Sequence, residues 1–412
     1  MQAALERFLK YVTYDTASAY EAQDYPSTEK QKDFARMLAQ ECRQLGLSDV
    51  KVDGYGYLTA TLPATPGCER APTIGFLAHM DTGPDLSGAD VRPRVVENYD
   101  GGDIPLDPEQ GIVLSPGRYP SLTAYVGQTL VVTDGNTLLG ADDKAGIAAI
   151  MEAMAHLLAH PEIAHGKIRI GFTPDEEVGN GVKYFDAKGF GVDFGYTLDG
   201  GALGEFEYEN FNAAQAKVSV KGVSSHPGSA KDVMVNAALI AAEYAMALPQ
   251  GETPANTQGY EGFYHLREQS GTVERAQLIY ILRDFEWEGL QRRKEVMLEV
   301  AKQLNARYGE DTVAVELQDQ YANMAQRLEE HPQVKHLALE AMAQLDITPV
   351  IMPIRGGTDG AVLSTRPDGF PCPNLFTGGH NAHGRYEYLV AESLEMATQV
   401  ICRIAFLAAQ AD

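Results

Sequence analysis

Three short apolar runs in this chain stop abruptly on acidic or imidazole side chains, and no other feature limits the fold as strongly. Thr73-Ile74-Gly75-Phe76-Leu77-Ala78 ends on His79; Ile168, Ile170 and Phe172 alternate toward Asp175-Glu176-Glu177; Phe194 to Leu198 ends on Asp199. Runs of this length, punctuated by Gly and Pro, read as strands. Between the first two, Ile147, Ile150, Met151, Met154, Leu157 and Leu158 recur at helical spacing. Strands alternating with helices, with polar residues gathered at strand ends, describe an α/β domain with a mostly parallel central sheet flanked by helices. In such a domain sites form beyond the carboxyl ends of the strands.

The chain has 412 residues, more than the roughly 250 to 300 at which a single core stops growing, so two domains are expected. From about Ala213 the pattern changes. A strand (216–220), a helix (233–248), two strands (262–266 and 276–284), a helix (288–308) and a strand (312–317) follow in order. That order is β-α-β-β-α-β, the ferredoxin-like α+β unit. α/β material then resumes with a helix over 334–345, a strand over 350–354 and a helix over 390–408. The boundaries are therefore 1–212 and 329–412 for one domain and 213–328 for the inserted one.

Near the N-terminus, Leu5, Phe8, Leu9 and Val12 predict a helix. A second runs from Thr28, where Gln31 completes a capping box, to about Leu45. Residues 50–52 and 58–62 read as further strands. Residues 83–139 are rich in Pro, Gly and Asp, and their last part, Thr129–Thr133 followed by Asp134-Gly135-Asn136, carries a hairpin turn signal.

A formal net charge of -24 argues against binding nucleic acid or an acidic membrane, because phosphate contacts need clustered Lys and Arg. Cys42, Cys68, Cys372 and Cys402 are scattered, without metal-ligand spacing, and read as reduced thiols of a cytoplasmic protein. The first residues lack the basic and apolar segments of a signal peptide. No stretch approaches the ~18 apolar residues of a membrane span.

The clusters His79-Met80-Asp81, Gly140-Ala141-Asp142-Asp143-Lys144, Glu176-Glu177, Leu198-Asp199-Gly200 and Asn381-Ala382-His383-Gly384 all fall where strands are expected to end. Each alone has an ordinary reading: a hydrogen-bonded pair, a helix N-cap, a solvated turn, a loop histidine. Together, on successive strand ends of one domain, they suit a pair of Zn²⁺, Co²⁺ or Mn²⁺ ions bridged by a carboxylate. Adjacent residues cannot aim at one target from a regular helix or strand. In a loop, one Glu of the pair can bind metal while the other moves protons, and spacing does not say which does which. Asp81 follows His79 by two and can accept the other imidazole N–H.

The set His79-x-Asp81, Asp142-Asp143-Lys144, Glu176-Glu177, Asp199 and His383 resembles the M20 family of dinuclear zinc peptidases and amidohydrolases. The surrounding Leu139–Gly146 and Arg355-Gly356-Gly357-Thr358-Asp359-Gly360 are similar to its tripeptide-cleaving aminopeptidases, over nearly the whole chain. The resemblance implies a bridging Asp142, His79 and Asp199 on one ion, and Glu177 and His383 on the other, with two Zn²⁺ per subunit. It makes Asp81 and Glu176 catalytic, with Glu176 the proton carrier, and it implies a cis bond between Asp142 and Asp143. The inserted domain becomes a lid and dimerisation domain of a homodimer, in which His226 reaches the partner's site to stabilise an oxyanion. Arg283 and Arg355 are candidates to grip the carboxylate of a short peptide substrate, or else structural salt-bridge residues. Asn236 and Lys144 have no assigned role.

Three alternatives stay open: a dipeptidase, an N-acyl amino acid amidohydrolase, and a non-catalytic metal-binding protein. No strand is followed by G-x-G-x-x-G, and neither H-E-x-x-H nor G-x-S-x-G occurs, so dinucleotide, zincin and serine-hydrolase chemistry have no support.

Overall fold

A computed structural model describes residues 2–410. The chain forms two compact units, Met1–Tyr208 with Gln326–Met352 and Thr358–Asp412, and Glu209–Ala325 with Pro353–Gly357. Among the described residues no helix is long and apolar enough to cross a membrane.

The first unit is a mixed α/β structure. Its eight-stranded sheet runs, edge to edge, Ser48–Val52, Leu58–Leu62, Ile168–Thr173, Ile74–His79, Phe194–Gly200, Asn374–Phe376, Glu205–Glu207 and Val350–Ile351. The four middle strands, Ile168–Thr173 to Asn374–Phe376, pair in parallel, and antiparallel pairs lie to either side. Every residue of Ile74–His79 is buried, which explains its unbroken apolar run. Register then sets the site. His79 lies opposite Thr173 and Leu77 opposite Thr197, so the three polar strand ends finish at one edge.

The helix Ala141–Ala159 packs on Ile74–His79 and Phe194–Gly200, and also on Gln2–Tyr11 and Ala391–Ala408. Covered on so many sides, it is apolar nearly all round. At Gly146 a Cβ would stand 1.9 Å from the carbonyl oxygen of Leu198. This close approach of helix to strand brings Asp142 and Asp143 beside Asp199.

Residues 83–139 build a support for another part of the site. Leu130–Val132 pairs on one side with Arg94–Val96 and on the other with Tyr388–Val390, which in turn pairs with Gly379–His380. Ile104–Asp107 and Ile112–Leu114 form a separate ribbon whose Leu106 and Leu114 pack with Leu130 and Tyr388. The expected hairpin after Thr133 is absent. Asp134–Asn136 does bend, with the Asn136 N–H on the Asp134 side chain at 2.9 Å, but the chain goes on to the helix at Ala141 instead of returning, and distant strands supply the pairing. The hairpin that does form, with His380 opposite Tyr388, carries His383 in its loop.

Other local expectations also shift. The helix Lys30–Leu45 has Glu29 at its N-cap without a side-chain cap bond. Thr28 instead donates to the Ala17 carbonyl, and Gln31 turns to Asp175, so a long-range contact replaces the capping box. The strand expected over 350–354 stops at Ile351, shortly before Pro353, which has no N–H to donate.

In the second unit the sheet order is Phe263–Gly271, Arg275–Asp284, Asn212–Lys221, Val313–Tyr321, all antiparallel. The helices Ala237–Ala247 and Trp287–Tyr308 cover one face. This is the ferredoxin-like arrangement, and Ala214, Ala216, Val218 and Val220 alternate into its core. Its first helix begins later than periodicity suggests, because the Asn236 side chain caps it by accepting the N–H groups of Ala238 and Leu239.

Gly146→Ala should lower the unfolding free energy by about 1–3 kcal/mol or more, since the added methyl meets the Leu198 carbonyl oxygen and the Asp143 carboxylate, which is itself held by hydrogen bonds. Denaturant titration would measure the loss, and a neutral result would show that helix and strand can separate without penalty.

Candidate metal centre

His79 is buried at the end of its strand. Its Nδ1 lies 3.0 Å from the Asp81 carbonyl oxygen and 3.4 Å from the Asp81 carboxylate. A carbonyl only accepts, so Nδ1 carries the hydrogen and Nε2 is turned toward the site. Asp81 thus takes the other imidazole N–H as expected, with its backbone oxygen as the closer acceptor and its carboxylate beside it. The Asp81 carboxylate also accepts the N–H groups of Glu176 (3.0 Å) and Glu177 (3.2 Å), and so fixes the loop that carries both.

His79 Nε2 faces Asp142 Oδ1 at 2.8 Å and Asp199 Oδ1 at 3.5 Å. His383 Nε2 faces the other oxygen of the same residue, Asp142 Oδ2, at 3.2 Å and Glu177 Oε2 at 2.8 Å. Asp142 thus presents one oxygen to each imidazole, as a carboxylate that bridges two cations does. Glu177 Oε1 is buried with no hydrogen-bond partner among the described residues. Ligand atoms of His79, Glu176 and Asp199, and of His79, Asp142 and Glu177, gather within 4.8 Å of one another. The donor set of imidazoles and carboxylates fits a pair of divalent ions.

The charges have the same implication. Burial would lower the His79 pKa, but Asp199, Asp142 and Asp81 raise it well above the usual value. Hydrogen bonds to Asp142 and Glu177 push His383 up to about 11. Burial pushes Asp199 and Asp359 each up to about 7 and Glu176 well above its usual range, while His79 opposes the shift at all three. Negative charge here exceeds what the two imidazoles balance, and divalent ions would relieve the excess.

The site loops are held by groups to which the sequence reading gave no such role. The buried Glu387 accepts the N–H groups of Leu139 (2.7 Å), Gly140 (2.9 Å) and Asp142 (3.1 Å). Asp143, joined to Asp142 by a cis peptide bond, accepts N–H from His79 and from Gly146, both at 3.1 Å. Its cap reading and its place beside the site are compatible. Asp175, at a left-handed φ of 59°, exchanges two hydrogen bonds with Gln31 (2.7 and 3.0 Å). Asn374 accepts the Asp199 N–H and donates to the partly buried Glu207 at 2.6 Å. Thr173 donates to Asp359 at 2.6 Å. Lys144, pushed down to about 8 by burial, donates to the Tyr14 carbonyl at 2.6 Å. A lone Glu just before the apolar Tyr388-Leu389-Val390 was the one available signal for Glu387.

The remaining sequence candidates belong to the second unit. His226 is exposed, and its Nδ1 accepts the Gly228 N–H at 3.1 Å. Arg283 donates to the Leu282 carbonyl and to Gln320 and lies over Tyr321. Arg355 donates to Thr257 and to the carbonyls of Gly259 and Glu261, and stacks on Phe211.

A family model for peptidase family M20/M25/M40 matches residues 131–406. The chain belongs to peptidase family M20/M25/M40. It is accordingly a peptidase, a hydrolase of the peptide bond. It is 53% identical over 404 residues to peptidase T of Caldanaerobacter subterraneus subsp. tengcongensis, covering 98% of each chain. Its fold is similar to that of a tripeptidase from Staphylococcus aureus, with a TM-score of 0.75, 22% identity and 100% and 99% of the two chains covered. It is also similar to a dinuclear metal binding peptidase of the M20 family from Bacillus subtilis, with a TM-score of 0.65, 15% identity and 100% and 99% covered. The M20 relationship accounts for the mixed α/β core and the ferredoxin-like second unit.

Without metal, the protein should lose stability as pH rises. Asp199 and Asp359, with folded values near 7 against 3.8 as the reference, hold protons in the fold that the unfolded chain has released. Their contribution therefore falls between about pH 4 and 7. His383 contributes fully below about 6.5 and loses that contribution as pH approaches 11. The lowered Asp142 acts only below 3.8. Melting curves of chelator-treated protein from pH 5 to 9 should decline steadily and flatten when a divalent ion is added; a rise with pH would contradict this. Separately, Glu387→Gln, which leaves at least one of three N–H groups without an acceptor, should weaken metal binding by roughly 10- to 100-fold, as calorimetry would read.

Proposed function

We propose that this peptidase is a metal-dependent aminopeptidase that releases the N-terminal residue of tripeptides, with two Zn²⁺ per subunit. The observation that carries the reading is the single carboxylate of Asp142 set between two imidazoles, with Glu176 gathered beside His79 and Asp199. The peptidase T and tripeptidase relatives support the tripeptide preference. Co²⁺ or Mn²⁺ would suit the same donors.

Asp142 would be shared by the two ions, with His79 and Asp199 holding one and Glu177 and His383 the other. When bound, the ions polarise the scissile carbonyl and acidify a water. Glu176 accepts the proton of that water as its oxygen bonds to the carbonyl carbon, and passes it to the leaving amine nitrogen as the C–N bond breaks. A raised proton affinity suits both halves of this task, because the acid form must persist long enough to protonate the amine. Asp81 positions Glu176 and Glu177 through their N–H groups.

His226 is read as an oxyanion donor in the site of a second copy within a homodimer. With Nδ1 accepting from Gly228, the neutral ring carries its hydrogen on Nε2, the form a donor needs. Carboxylate recognition by Arg283 or Arg355 requires each to exchange an internal partner for a substrate oxygen. The chain's four cysteines, all unpaired, suit a cytoplasmic enzyme.

The two glutamates separate the roles. Glu176→Gln should lower kcat by roughly 10²- to 10⁴-fold with metal stoichiometry unchanged, whereas Glu177→Gln should lower the bound metal itself. An active Glu176→Gln enzyme would sink the assignment. Assay of di-, tri- and tetrapeptides beside N-acetyl amino acids tests the substrate class, and faster cleavage of the acylated substrates would favour an amidohydrolase.

A further inference from the structure

An aminopeptidase must distinguish a free α-ammonium from an acylated nitrogen, and none of the residues assigned above does this. A cavity of about 250 Å³ adjoins the metal centre, with Asp142 and Asp199 on its wall. It is smaller than the roughly 300–1,000 Å³ of drug-sized ligand sites. It has room for about one amino-acid residue.

The charges on this wall can be accounted for one by one. Asp142 and Asp199 face the proposed ions. Asp143 is engaged by the N–H groups of His79 and Gly146, and Glu387 by three N–H groups. His380, also on the wall, lies 4.6 Å from the Tyr388 ring, and burial pushes it down to about 4, so it is neutral and adds no positive charge. The wall holds no Lys or Arg among the described residues. One carboxylate remains. Glu205 begins the strand that follows the tight loop from Gly200, and it accepts the Gly201 N–H through Oε2 at 2.9 Å. It is partly buried, burial raises its pKa against only the backbone groups of Gly201 and Ala202, and no cation offsets its charge. A carboxylate in this setting is stabilised by an incoming cation more than a solvated one would be.

We infer that Glu205 receives the α-ammonium of the substrate, and that the cavity it lines takes the N-terminal residue whose carbonyl is attacked. The loop from Gly200 to Glu205 joins the strand Phe194–Gly200, which carries Asp199, to the strand that begins at Glu205, and so places the ammonium acceptor on the same wall as Asp199. An N-acylated residue would set a neutral, bulkier amide against the carboxylate and leave the buried charge uncompensated. Glu205 is thus a specificity residue that touches substrate without taking part in bond breaking. The inference rests on the aminopeptidase reading above.

The test compares kcat/KM of the zinc-loaded enzyme for a tripeptide with that for its des-amino analogue. Wild type should prefer the free amine by roughly 10- to 100-fold, the range of a charge-assisted hydrogen bond. Glu205→Gln, which still accepts from Gly201, should collapse that ratio toward one, chiefly through a higher KM for the tripeptide. Glu205→Asp, which keeps the charge but withdraws it by one methylene, should give an intermediate ratio, and it carries the test if the Gln variant does not fold. A ratio unchanged in either folded variant overturns the assignment of Glu205. Wild type that cleaves neither substrate, or prefers the des-amino analogue, overturns the aminopeptidase reading and this inference with it.

Discussion

The interaction on which the rest of the structure depends is that of one partly buried carboxylate with two imidazoles. Asp142 meets His79 with one oxygen and His383 with the other, and those histidines lie far apart in the chain. In a low-dielectric setting such a pairing is worth much more than at the surface, and so is any mismatch. The mismatch here is large: Asp199, Asp359, Glu176 and Glu387 are each pushed upward by burial. An arrangement of this kind is sustained by cations or protons. This is why the site favours divalent metal, and why so much backbone N–H is directed at carboxylates that do not face the metal position.

That backbone lattice explains features of the fold that would otherwise look incidental. Asp81 holds the Glu loop, Glu387 holds the Asp142 loop and Asn374 holds the end of the Asp199 strand. Each contact joins elements distant in sequence. The small sheet built partly from residues 83–139 belongs to the same system. By pairing Leu130–Val132 with Tyr388–Val390, it anchors the hairpin whose loop carries both His383 and Glu387. An irregular segment without evident chemistry therefore supports one proposed metal ligand and the residue that orients another.

How much of this was legible follows from how local each signal is. The strands ending at His79, Glu176 and Asp199 could be read because their apolar runs depend on burial within a few residues. The ferredoxin-like order was legible for the same reason. Glu387 was not, since its meaning lies in three N–H groups about 245 residues away. Local rules also misled where tertiary contacts compete with them. Gln31 leaves a capping box to clasp Asp175, and Asp134-Gly135-Asn136 turns without a returning strand. Asn236 supplies the opposite case, a local cap that ends the argument over where a helix starts.

The Glu176–Glu177 pair shows where sequence symmetry ends and physical asymmetry begins. Both N–H groups rest on the same Asp81 carboxylate, so the two side chains leave a shared anchor in different directions. Glu177 reaches His383 at 2.8 Å and approaches Asp142. Glu176 instead gathers with His79 and Asp199, and its charge is opposed by burial and by Asp199, Asp359 and Glu177. Burial and Asp142 raise the proton affinity of Glu177 as well, but its hydrogen bond to the His383 imidazole opposes that shift and favours the charged form that the proposed ligand role needs. A carboxylate surrounded by like charge has a high proton affinity and can hold a proton between its removal from water and its delivery to an amine. The proposed difference in role follows from what each side chain faces across the anchor.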